Sequence, residues 1–215
     1  MAKEDNTIVE IDGNDDSIYE IQITIDEGES YLANSGLNSG GKIRTSHPTQ
    51  VHLMTGDICH TYEARWFTLT PTDQWTDSYF NPVATPNNGG DTHIDFVNAP
   101  TYVHLYNPNT TDITVNWETR FGGPTGVLVS AGGTNFIEIP DNTGSHFYSS
   151  GGEPFYALAT IDSDEFGNNA RNDWGYALTP ENDLSPQITL VGFAPGSIPT
   201  FPNTCLLYTS DAADE

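Results

Sequence analysis

Three acidic side chains at loop spacing give the sequence its best candidate for site chemistry. In the run from Asp162 to Asp173, counted as a twelve-position loop, Asp162 stands at position one, Asp164 at three and Asp173 at twelve. Gly167 supplies a turn glycine at position six. Calcium takes about six to eight oxygen ligands, and carboxylates at alternating positions can wrap such an ion. The loop departs from the usual pattern at Phe166, which fills position five, and at Asp173, where a bidentate Glu is customary. An ordinary polar loop is the alternative. Calcium is the one cofactor that the sequence suggests.

Other chemistry-bearing groups are more scattered. Asp15 beside Asp16, and Asp57 with Glu63, invite a glycoside-acting enzyme, whose two carboxyls lie roughly 5–9 Å apart across a sugar. In so acidic a chain, however, close pairs arise by accident on a solvated surface. The histidines His47, His52, His60, His93, His104 and His146 never form His-x-His, the spacing that puts two ligands on one strand face. No G-x-S-x-G, H-E-x-x-H, G-x-x-x-x-G-K-[ST] or C-x-x-C occurs. The expectation is therefore no catalytic residues, although distant groups can still converge. Trp66, Trp75, Trp117 and Trp174 have flat rings suited to sugar faces, but each sits beside β residues at core spacing. Packing is the expectation for all four, and sugar stacking is the alternative.

The elements that carry these groups follow from composition and periodicity. The 215 residues include 30 Asp and Glu against 6 Lys and Arg, for a formal net charge of −24. The bases Lys3, Lys42, Arg44, Arg65, Arg120 and Arg171 form no cluster, so phosphate backbones and anionic lipid are unsuitable partners. No long apolar run predicts membrane insertion. A hydrophobic share of 36% and an aromatic share of 11% suffice for a core, while 20 Gly and 14 Pro argue against long helices.

Apolar and polar residues alternate through Tyr19–Asp26 and Asp112–Glu118, the pattern of half-buried strands. Further β-like runs cover 50–55, 65–69, 93–97, 102–106, 126–129, 135–139, 155–161 and 187–193. Turn clusters separate them, among them Gly13-Asn14-Asp15-Asp16, Gly40-Gly41 and Gly122-Gly123-Pro124. The fold class predicted is all-β.

The two halves also repeat. Thr7, Val9, Ile11 and Gly28 match Thr111, Ile113, Val115 and Gly132, and Leu69-Thr70-Pro71 recurs as Leu178-Thr179-Pro180. Two tandem antiparallel β-sandwich-like repeats are expected, over 1–88 and 89–204, with propeller-like blades as the alternative.

The run from Cys205 to Glu215 reads differently, since its codons look like the end of a sequencing adaptor. It is expected to be a non-native tail. Without its Asp211, Asp214 and Glu215 the net charge of −24 becomes −21, and Cys59 is left as a lone cysteine. Met1 runs almost directly into a strand, which suggests a reading frame that opens inside a longer protein.

Several short motifs resemble the N-terminal domain of immunoglobulin G Fc-binding protein and its bacterial relatives. They are Ala2 with Glu4-Asp5-Asn6-Thr7 and Val9; Gly28-Glu29-Ser30-Tyr31; Gly40, Ile43, Ser46 and Pro48; and Pro71, Trp75, Tyr79 and Pro82. The resemblance covers residues 2 to about 86 well and the second half loosely. The family's usual second cysteine near Cys59 is absent. The resemblance implies a non-enzymatic adhesion or structural module of a large secreted or cell-surface protein. Its partners would be a protein or glycan ligand and neighbouring modules of the same chain. A carbohydrate-binding module is the first alternative, and a glycoside-acting enzyme the second.

Overall fold

A computed structural model describes residues 1–33, 36–55, 65–82, 100–140, 143–161 and 174–186. The expected loop Asp162–Asp173, Cys59, the boundary near residue 88, the runs at 93–97 and 187–193 and the terminal tail lie outside the described residues. The described chain is all-β, in several antiparallel sheets, and none of its helices is long and apolar enough to cross a membrane.

The first strands are β1 (Thr7–Asp12), β2 (Ile21–Ile25), β3 (Lys42–Thr45), β4 (His52–Thr55), β5 (Arg65–Thr68) and β6 (Ser78–Asn81). They are followed by β7 (Thr101–Tyr106), β8 (Ile113–Thr119), β9 (Gly122–Val129) and β10 (Thr134–Ile139). The last are β11 (Ser145–Ser149), β12 (Tyr156–Ile161), β13 (Trp174–Ala177) and β14 (Thr179–Pro180).

Alternation builds the main core. Along β7, Thr101, Val103 and Leu105 are buried while Tyr102, His104 and Tyr106 stay half-buried on the other face. The four-stranded sheet β10-β7-β12-β13 contributes Ile137, Ile139, Val103, Leu105, Ala157 and Ala159. The five-stranded sheet β14-β6-β11-β8-β9 contributes Tyr79, Phe147, Ile113, Val115 and Val129 to the same cluster. The pairing of two inner faces is sandwich-like, and each fully buried large side chain contributes roughly 1.5–3 kcal/mol.

Tyr79 ties the sheets together through its hydroxyl, which donates to the Phe155 carbonyl at 2.9 Å and accepts the Thr76 N–H at 3.2 Å. β6 precedes residue 88, yet it pairs with β11 from beyond it. The segments either side of that position therefore share a sheet.

A smaller three-stranded sheet, β2-β1-β3, buries Ala2, Val9, Ile11 and Ile25. Its order recurs as β9-β8-β11 within the five-stranded sheet, antiparallel at each step in both. The 3₁₀ turns Thr72–Gln74 and Glu181–Asp183 recur likewise, entered from Pro71 (φ −55, ψ 146) and Pro180 (φ −56, ψ 145).

The β4–β5 hairpin docks through β5 against β13. Phe67, buried on β5, fills the space beside Gly175: a Cβ there would lie 2.2 Å from Phe67 Cζ. Arg65 donates from Nη2 to the Ile161 carbonyl at 3.4 Å, a second tie across the same junction.

Two expectations change locally. Gly122-Gly123-Pro124, expected as a turn, opens β9. A proline is tolerated there because β9 is an edge strand. The short strands β3, β6 and β11 were not expected, because four or five residues with few apolar side chains give no clear alternation.

Candidate functional site

The outer face of the five-stranded sheet assembles the groups closest to catalytic spacing. Register places His146 of β11 between Phe80 of β6 and Glu118 of β8. His146 Nε2 lies 2.9 Å from Ser78 Oγ, and Nδ1 lies 3.4 Å from Glu118 Oε1. Phe80 stacks on the imidazole at 4.3 Å and 7°, and Tyr148 flanks it at 5.0 Å and 30°.

Hydroxyl, imidazole and carboxylate in series is the arrangement that activates a serine for acyl transfer, provided that donors also await the oxyanion. Here Ser78 is only 6% exposed, and its hydroxyl is engaged by the His146 ring on the same face. Neighbouring backbone donors are committed: Ser149 N–H bonds the Asp77 carbonyl, and Thr76 N–H bonds Tyr79 Oη. The row works as a cross-strand polar brace that orients the imidazole.

The β1–β2 connection forms an acidic loop. Carboxylate oxygens of Asp12, Asp16 and Glu20 all lie within 4.8 Å of one another. Asp12 is fully buried and accepts the N–H groups of Asp16 at 3.2 Å and Ser17 at 2.9 Å. Asp16 accepts Ile18 N–H at 2.8 Å, and Glu20 accepts Gly13 N–H at 3.0 Å. Asp15 and Ser17 hold positive φ angles of 62° and 71° within this winding.

Such oxygens are the donor type of a hard cation. In this chain they already order the loop through backbone N–H groups. Counting Asp12, Asn14 and Asp16 at positions one, three and five would have singled out this loop, by the same rule that selected Asp162, Asp164 and Asp173.

Asp15 and Asp16, the adjacent pair that invites a glycoside-acting reading, bond to different partners. Asp15 meets Lys42 at 2.5 Å, which raises the lysine pKa, while Asp16 turns back to the loop. On the same sheet a hydrogen bond from Arg44 holds Glu10 below the usual carboxylate range. Among the remaining candidates, Asp57, Glu63, His60 and His93 fall outside the described residues. His104 is held by Thr160 Oγ1 at 2.9 Å and lies beside Phe136.

The tryptophans divide. Trp75 stacks on Tyr156 at 5.0 Å and donates from Nε1 to the Thr70 carbonyl at 3.1 Å, and Trp117 packs against the main core. Trp66 corrects the expectation of packing, because it is 64% exposed. It follows from alternation along β5: Phe67 takes the inner position against Gly175, so Trp66 faces outward. His52, across the hairpin, meets the indole edge-on at 5.7 Å, and its Nδ1 lies 3.3 Å from Thr68 Oγ1. A flat apolar ring beside hydrogen-bonding groups can receive a ligand that has an apolar face and a polar rim. The side chain of Trp174 lies outside the described ones.

No family model, no curated protein and no solved structure matches the chain.

Proposed function

We propose that the chain is a non-enzymatic adhesion or structural module of a large secreted or cell-surface protein. The observation that carries the reading is Trp66, a largely exposed indole on a hairpin whose other face is fastened by Phe67 at Gly175. Rigid aromatic side chains of this kind dominate contact surfaces, because they bury much area for little lost conformational entropy. The brace formed by Ser78, His146 and Glu118 supports the non-enzymatic part, since Ser78 is only slightly exposed. The resemblance of several sequence motifs to the Fc-binding-protein domain supports the extracellular setting.

A carbohydrate-binding module is the second reading, favoured by His52 and Thr68 beside the indole. The test is the purified chain against immobilised mucin, immunoglobulin Fc and neutral oligosaccharides, with the ligands analysed for cleavage afterwards. Saturable retention with intact ligand is expected. Cleavage that disappears in His146→Ala would replace this reading with an enzymatic one.

A further inference from the structure

One position in the repeated sheet order is filled in one place and, among the described residues, open in the other. In the five-stranded sheet, β6 lies alongside β11 in the register Ser145↔Asn81 to Tyr148↔Ser78, and Ser149 N–H to Asp77 C=O extends the ladder. In the matching β2-β1-β3 sheet, no strand among the described residues lies on the outer side of β3.

The backbone of β3 is set for one. Ser46 N–H bonds the Ile8 carbonyl, and antiparallel alternation carries this bonding through Arg44 and Lys42 to β1. The backbone groups of Ile43 and Thr45 therefore point to the open edge, as those of Phe147 and Ser149 point to β6. The side chains correspond as well. Ile43 lies opposite buried Ile11, and Phe147, at the repeat spacing of 104 from Ile43, lies opposite Trp117, two residues past the Val115 that matches Ile11. Phe147, with Tyr79 opposite it on β6, is 0% exposed, whereas Ile43 is 36% exposed. Neither a proline nor an inward-pointing charge blocks the β3 edge, since Lys42 and Arg44 are drawn to Asp15 and Glu10.

We propose that the β3 edge accepts an antiparallel strand of the β6 type from another copy of the repeat unit, with an aromatic side chain at the place of Tyr79 laid over Ile43. Strand addition of this kind draws affinity from main-chain hydrogen bonds and specificity from alternate side chains. It would join units in series by one donated strand each, whatever ligand Trp66 meets.

The test adds a labelled peptide with the sequence of residues 75–82 to the whole chain, read by anisotropy and by amide exchange. Expected are saturable binding, slowed exchange at Ile43 and Thr45, and affinity weakened about tenfold or more when the peptide is N-methylated at Tyr79. Ile43→Pro should abolish binding, and the N-methylated peptide probes the same edge without altering the protein. Absence of saturation, equal affinity for the N-methylated peptide, or protection confined to Phe147 and Ser149 would overturn the proposal.

Discussion

The ring of Phe67 occupies the space that a side chain on Gly175 would need, and this contact helps to seat the β4–β5 hairpin on the four-stranded sheet. Gly175→Ala should therefore force the buried ring aside, at a cost of about 1–3 kcal/mol. Phe67→Leu in the same chain should recover part of the loss, because neighbouring substitutions are not additive. Thermal unfolding of the two single variants and the double variant checks this. Additive losses would mean that the two residues do not share the site.

Buried tyrosines make stability sensitive to alkali. Burial pushes the Tyr79 hydroxyl up to about 12, and burial does the same for Tyr176, also to about 12. For an acid whose folded pKa lies above its unfolded value, the neutral form is favoured by folding. The contribution is complete below the unfolded value near 10 and is lost as pH rises through the folded values. Tyrosinate absorbance should then show late-titrating groups, with unfolding between about pH 10 and 12.

Tyr79→Phe should narrow that dependence. It should also lower stability at neutral pH by roughly 1–3 kcal/mol, because the Phe155 carbonyl and Thr76 N–H lose their shared partner. Denaturant unfolding at neutral and alkaline pH measures both effects. A variant as stable as the parent at neutral pH would contradict the role given to the hydroxyl.

The brace on the five-stranded sheet predicts an unreactive serine. A fluorophosphonate probe should leave Ser78 unlabelled in the folded chain, as read by peptide mass spectrometry. Ser78→Ala should cost about 1 kcal/mol of stability, the scale of one hydrogen bond. Rapid labelling that requires His146 would show instead that the hydroxyl is reachable and activated.

Several strands that alternate over five or more residues were legible, as Tyr102–Tyr106 and Ile113–Trp117 show. β6 was not, because Ser78–Asn81 has too few residues to display a period and finds its place through β11 and β14. The grouping of Ser78, Glu118 and His146 was equally hidden, since it depends on the register of three strands that are distant in sequence. By contrast, the Asp12–Glu20 loop was open to the same counting that selected Asp162, Asp164 and Asp173. Trp66 and Phe67 show a subtler limit. Alternation says that neighbours face opposite ways, but only the missing side chain at Gly175, far along the chain, decides which of them turns inward.

The proposed function rests on contact through the outer face of the β4–β5 hairpin. Equilibrium binding to an immobilised ligand that retains the parent chain should be compared for Trp66→Ala and for Phe136→Ala, a similarly exposed ring elsewhere. Trp66→Ala should lose about tenfold or more in affinity, ~1.4 kcal/mol or more, with an unchanged melting temperature, and Phe136→Ala should lose none. Parent-like binding by Trp66→Ala would contradict the proposed contact surface.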